Sequence, residues 1–232
     1  PLRIATKQKI IPQSDLFLFI HGLGGSKESF EDIWNIPAFA DKSIFTYDMP
    51  GFGLSEKPPT LTYTMEEQAI IANKLIDSLG PTKIHFIGHS IGGIIALLLV
   101  EKIGSSPATV IIVEGNLIAE DCGVFTRDTV KVPFGEFVKE TFPKLRSGFS
   151  TSLKKSEQLF GRQINRASPQ AFYQSAKSAL TWSESGQLLP RFLNLQQKKA
   201  YIYGEQSPQW ADSGSKLSEA FTQANLPTVK IE

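Results

Sequence analysis

Residues 83–103 hold the pattern that most narrows the folds open to this chain. A short, apolar, β-prone run from Lys83 to Ile87 leads into Gly88-His89-Ser90-Ile91-Gly92, and a long apolar run continues to Ile103. Strand, sharp turn, helix is the setting in which a serine becomes a nucleophile rather than a surface hydroxyl. Gly88 and Gly92 fall where such a turn is too cramped for a side chain. The helix after the turn points its free N–H groups and positive dipole end back at Ser90. Negative charge forming beside that hydroxyl is therefore favoured.

The same alternation extends over most of the chain. Leu2 to Ile11 contains two short β-prone runs that begin a sheet. Leu16 to Ile20 is a continuous apolar strand of the kind covered on both faces, and it runs into His21-Gly22-Leu23-Gly24-Gly25. A helix is expected from near Ser26 to just before Pro37. Ser43 to Tyr47 is the next strand, leading into Asp48-Met49-Pro50-Gly51-Phe52-Gly53-Leu54-Ser55. Thr64-Met65-Glu66-Glu67 has the form of a capping box. Behind it Met65, Ala69, Ala72, Ile76 and Leu79 share one helical face, and Gly80-Pro81 ends that helix. Gly104 is expected to stop the helix that follows Ser90. Thr109–Val113, Ala200–Tyr203 and Thr228–Ile231 are further strands, with a helix marked by Leu217, Ala220, Phe221 and Ala224 before the last. Strands alternating with helices predict an α/β fold with a mostly parallel sheet flanked by helices.

One region breaks the alternation. Residues 117–185 show no buried strand, and their helix-compatible stretches (134–142, 151–164 and 169–181) are separated by Pro133, Pro143, Gly148, Gly161 and Pro169. The expected organisation is a core in two parts, 1–116 and 186–232, with a helical lid inserted at 117–185. The lid's Phe125, Phe134, Phe137, Phe142, Phe149, Phe160, Phe172 and Trp182 offer an apolar acyl pocket, though most are expected to pack the helical layer itself.

Composition excludes several functions. With 232 residues, 41% of them hydrophobic, the chain can bury one sizeable core. A net charge of +1 gives no field suited to nucleic acid or an anionic membrane. Cys122 is the one cysteine, which fits a reducing, cytoplasmic location. The N-terminal residues lack a signal-peptide pattern, and the longest apolar run, Ile94 to Val100, is too short to span a bilayer. The histidines are not spaced as metal ligands, and no phosphate-loop or dinucleotide fingerprint appears. No cofactor and no metal are expected.

The three glycine-containing motifs, in this order and at this spacing, resemble the α/β-hydrolase superfamily over essentially the whole chain outside the insertion. The resemblance implies that Ser90 is the nucleophile of an acyl-enzyme and that the backbone N–H groups of Leu23 and Ile91 form the oxyanion hole. His21, Gly22 and His89 take supporting places, and Asp48 shapes a turn. In this family the chain order is serine, acid, histidine. His21, His85 and His89 are the only histidines, and all precede Ser90. The expectation is a chain truncated at its C-terminus before the catalytic histidine; the alternative is a catalytically silent, ligand-binding member of the fold. Ser207 stands where the family's common aspartate is expected. Glu114, at the end of a buried strand, is taken as the acid, because a carboxylate there needs a partner to offset its burial; Glu205 is the alternative. Asp121 and Asp212 are expected as caps and His85 as packing. The resemblance implies hydrolysis of a small-molecule carboxylic ester, thioester or lactone, with amide or carbon–carbon bond hydrolysis as the alternative.

Overall fold

A computed structural model describes residues 2–81, 83–103, 107–204 and 208–231. Strands β1 (Thr6–Lys9), β2 (Leu16–Ile20), β3 (Ser43–Tyr47), β4 (Ile84–His89), β5 (Pro107–Val113), β6 (Lys198–Gly204) and β7 (Thr228–Ile231) form a single sheet in the order β1-β3-β2-β4-β5-β6-β7. β1 is antiparallel to β3, and every other pairing is parallel. The two short runs expected between Leu2 and Ile11 are one strand. Gln13, at φ +64°, lies in the turn that follows.

Helix α1 (Met65–Leu79) and helix α2 (Ile91–Ile103) pack against each other on one face of the sheet. The α1 cap is close to its expected form. Thr64 Oγ1 accepts the Glu67 N–H at 3.3 Å, while Glu67 Oε2 reaches back one residue further and accepts the Tyr63 N–H at 2.8 Å. Gly80 ends the helix at φ +55°. Every residue of α2 from Ile91 to Val100 is buried, which a helix apolar all round requires. Gly104, its expected stop, lies outside the described residues.

The strands alternate their side chains between two apolar clusters, as a period of two demands. Leu16, Leu18 and Ile20 join Phe86, Val110 and Ile112 in the larger cluster. Phe19, Ile44 and Ile87 face the other way and meet Ile33. Ile33 belongs to Lys27–Asn35, within the helix expected between Ser26 and Pro37. The segment is 3-10 helix, kinked at Phe30 and capped by Ser26 Oγ, which accepts the Glu28 N–H.

Between β5 and β6 the chain is helical: α3 (Val124–Lys131), α4 (Phe134–Glu136), α5 (Phe142–Ser150), α6 (Lys155–Ile164), α7 (Pro169–Glu184) and α8 (Leu188–Leu193). A π-helical turn, Phe137–Thr141, joins α4 to α5. Helix α9 (Pro208–Gln223) precedes β7. Asp212 falls inside this helix. Asp121 does cap: Oδ2 accepts the N–H groups of Leu117 and Ile118. Among the described residues no helix is long and apolar enough to cross a membrane.

Candidate active site

The turn after β4 puts Ser90 at φ +52°, in the left-handed region that an L-residue adopts only under constraint. The constraint comes from both sides. The Ser90 N–H donates to Val113 O at 3.0 Å, and Ser90 O accepts the Gly93 N–H at 2.9 Å. A Cβ at position 88 would lie 2.4 Å from Gly92 O, and one at position 92 would lie 2.3 Å from Ile20 O. Strand, turn and helix thus touch backbone to backbone, and only glycine fits at these two positions.

The loop after β2 lies against this turn. A Cβ on Gly22 would stand 2.9 Å from His89 Nδ1 and 3.0 Å from Ser90 Cβ. Leu23 follows, half-buried against the larger core cluster, and Ile91 is the buried first residue of α2. His21 fixes the base of the loop. Its Nε2 accepts the Met49 N–H at 3.0 Å, so Nδ1 carries the proton and donates to Gly22 O at 2.8 Å. Burial pulls His21 from 6.5 down to about 4, so the ring is neutral. Both nitrogens are in use, and His21 ties the loop after β2 to the turn after β3.

Asp48 secures that second turn. Its buried carboxylate accepts the N–H groups of Lys27 and Leu54, each at 2.7 Å, and pairs with Lys27 Nζ at 2.8 Å. The sequence marked Asp48 as turn-shaping but carried no sign of Lys27 as its partner.

Glu114 comes directly after β5 and is also left-handed, at φ +45°. Its N–H donates to Ile202 O at 2.8 Å, and its Oε1 accepts the Gly204 N–H at 3.1 Å. Ser90 and Glu114 thus follow the adjacent parallel strands β4 and β5 at the same, C-terminal end of the sheet. Burial lowers the His89 pKa, and the negative charge of Glu114 opposes that fall. Tyr201 donates to Gly115 O at 3.0 Å and holds the residue after Glu114 in place. Glu205 lies outside the described residues. His85 is at the opposite end of β4, stacked on Phe17 at 4.3 Å and within 3.3 Å of Asp15.

Two of the aromatic residues that the sequence offered for an acyl pocket, Phe160 and Phe172, reach this region. Gly24 adopts φ +74°, and a Cβ there would lie 2.9 Å from Phe172 Cε2 and 3.0 Å from Phe160 Cζ. Helices α6 and α7 therefore rest on the loop after β2.

The comparisons with known proteins agree with this architecture. A carboxylesterase from Nitrososphaera gargenis superposes with a TM-score of 0.79 at 16% identity, covering 99% of this chain and 86% of that one. A bromoperoxidase from Bacillus anthracis does so with a TM-score of 0.79 at 17% identity, covering 100% and 87%. Neighbours with such different names share a fold, and the fold by itself does not specify a reaction. Among curated proteins, Lipase 3 of Moraxella sp. is 36% identical over 90 residues, 37% of this chain and 27% of that lipase. The first curated relatives are matched over less than a third of their own length. The family model for the alpha/beta hydrolase fold matches residues 15–225, and with its sheet order, its glycine-bound turn at Ser90 and the loop laid against that turn, this chain belongs to the alpha/beta hydrolase fold family.

Proposed function

We propose that this chain carries the site of a serine hydrolase that cleaves carboxylic esters through an acyl-enzyme on Ser90. The observation that carries this reading is the left-handed Ser90 between Gly88 and Gly92, with Gly22 laid against its Cβ. In the reaction, Ser90 Oγ attacks the ester carbonyl carbon as its proton passes to a base. The N–H groups of Leu23 and Ile91 stabilise the oxyanion. The carbonyl re-forms as the alcohol leaves with that proton, and water then attacks the acyl-enzyme by the same steps in reverse. Glu114 is assigned to orient the base and to stabilise its positive charge. Helices α3 to α7, within residues 117–185, act as a lid over the site. The carboxylesterase and lipase names among the similar proteins support ester hydrolysis as the activity.

None of the three histidines serves as the base. His21 uses both nitrogens, His85 is at the far end of β4, and His89 precedes Ser90 on the strand and packs toward Gly22. A serine without a base is a poor nucleophile. The test is made on the full-length protein. It should react with a fluorophosphonate at Ser90 and lose that labelling in Ser90→Ala. Labelling that survives Ser90→Ala removes the assignment. Glu114→Gln should lower kcat on a p-nitrophenyl ester by about 10²-fold or more; an unchanged rate would pass the acid role to another residue.

A further inference from the structure

Phe160, on α6, is held in an unusual place for a lid residue. Its ring edge rests on Gly24, directly after the Leu23 whose N–H is the proposed oxyanion donor. From there a single row of rings leads outward. Phe160 meets Phe149 edge-on at 4.7 Å and 84°, and Phe149 meets Phe125 edge-on at 5.2 Å and 60°. Phe160 and Phe149 are half-buried, and Phe125 at the end of the row is 49% exposed. The row differs from the neighbouring cluster of Phe137, Phe142 and Phe172, which is at most 2% exposed and is simply packing.

The row is also braced. A Cβ on Gly161 would lie 2.9 Å from Phe149 O, so α6 crosses α5 at near-contact distance. Ser29 donates to Gln163 Oε1 at 3.1 Å and Arg166 pairs with Glu28 at 2.6 Å, which fixes α6 to the segment following the loop after β2. The Phe160 ring therefore has a defined position between the loop after β2 and the Phe149 and Phe125 rings that lead to the surface.

We propose that Phe160 sets the length of the acyl chain the site accepts, with Phe149 and Phe125 lining the path that a longer chain takes when the Phe160 ring is removed. The substrate class is then esters of short linear acyl chains. This inference rests on the ester-hydrolase reading above, and its test separates the two. The protein made from its whole reading frame is assayed on p-nitrophenyl butanoate, octanoate and dodecanoate, as wild type and as Phe160→Ala, Phe160→Leu, Phe149→Ala and Phe134→Ala. Phe134 is a lid aromatic that contacts Tyr173 at 5.2 Å, away from the row. The octanoate-to-butanoate ratio of kcat/KM is expected to rise about tenfold in Phe160→Ala, from removed steric exclusion of the added methylenes. A smaller rise is expected in Phe160→Leu, and no change in Phe134→Ala. In Phe149→Ala no gain is expected, because the Phe160 ring remains in place ahead of it. A ratio within twofold of wild type in both Phe160 variants, with thermal melting showing that they fold, overturns the proposal and leaves the ester-hydrolase reading standing. An equal rise in Phe134→Ala also overturns it. Absence of ester turnover and of Ser90 labelling in the wild type overturns both.

Discussion

Ser90 and Glu114 hold backbone conformations that a side chain resists, and both sit where adjacent strands end. A left-handed L-residue costs about 1–2 kcal/mol relative to its relaxed form. Glycine carries no such penalty, so Ser90→Gly is expected to unfold at higher urea than Ser90→Ala, by about 1 kcal/mol in stability. Equal midpoints for the two variants would show that the turn stores no strain at that residue. His21 makes a second residue-level contribution, through pH. Its pKa is pulled from 6.5 to about 4 by burial, so between those values the unfolded chain binds more protons than the folded one. Stability must then rise with pH through this window and be lost as pH falls. From pH 7 to pH 5 the loss from His21 is about 2 kcal/mol. His89 is shifted the same way and adds to the slope. Urea midpoints measured at half-unit pH steps check this, and the slope should flatten in His21→Asn.

The close approach of α2 to the end of β2 sets two glycines apart. A Cβ at Gly92 would meet backbone at 2.3 Å, whereas at Gly80 there is open space and only an unfavourable φ of +55°. Gly92→Ala is expected to cost about 3 kcal/mol, since neither strand nor helix can yield without breaking its hydrogen bonds. Gly80→Ala should cost about 1 kcal/mol. Paired urea melts of the two variants measure the difference. These same elements show what a sequence can disclose. The cap at Thr64, the stop at Gly80 and the burial of α2 are local, and local chemistry writes itself into residue spacing. The turn at Ser90 was legible for the same reason. Helices α3 and α8 were not foreseen, because at eight and six residues they are too short to repeat an apolar face along the sequence. The seat of Phe160 and Phe172 on Gly24 joins residues far apart in the chain, and no periodicity encodes such a contact. The Lys27–Asp48 pair was hidden likewise, since nothing in the residues around Lys27 names a buried carboxylate.

At the scale of the whole molecule, the helices between β5 and β6 are attached to the core by unequal means. The Arg166–Glu28 pair is partly exposed, at 41% and 33%, and is expected to contribute under about 1 kcal/mol. Phe172 is 1% exposed between α7 and the loop after β2. Phe172→Ala should therefore cost about 3–5 kcal/mol and Arg166→Ala under about 1 kcal/mol, read from denaturant midpoints. A reversed order would mean that charge, not packing, attaches these helices. The order of the sheet carries a consequence for how the molecule is made. β1 to β5 form one side of the sheet, and β6 pairs directly with β5. Residues 114–197, the whole helical run, are synthesised between the two. At about 5–20 residues per second, β5 waits several seconds on the ribosome with one edge unpaired and with Val110 and Ile112 lacking the cover they later receive. An uncovered apolar edge is a template for pairing with another chain. The nascent protein is thus most exposed to aggregation while the helices between β5 and β6 are still being translated.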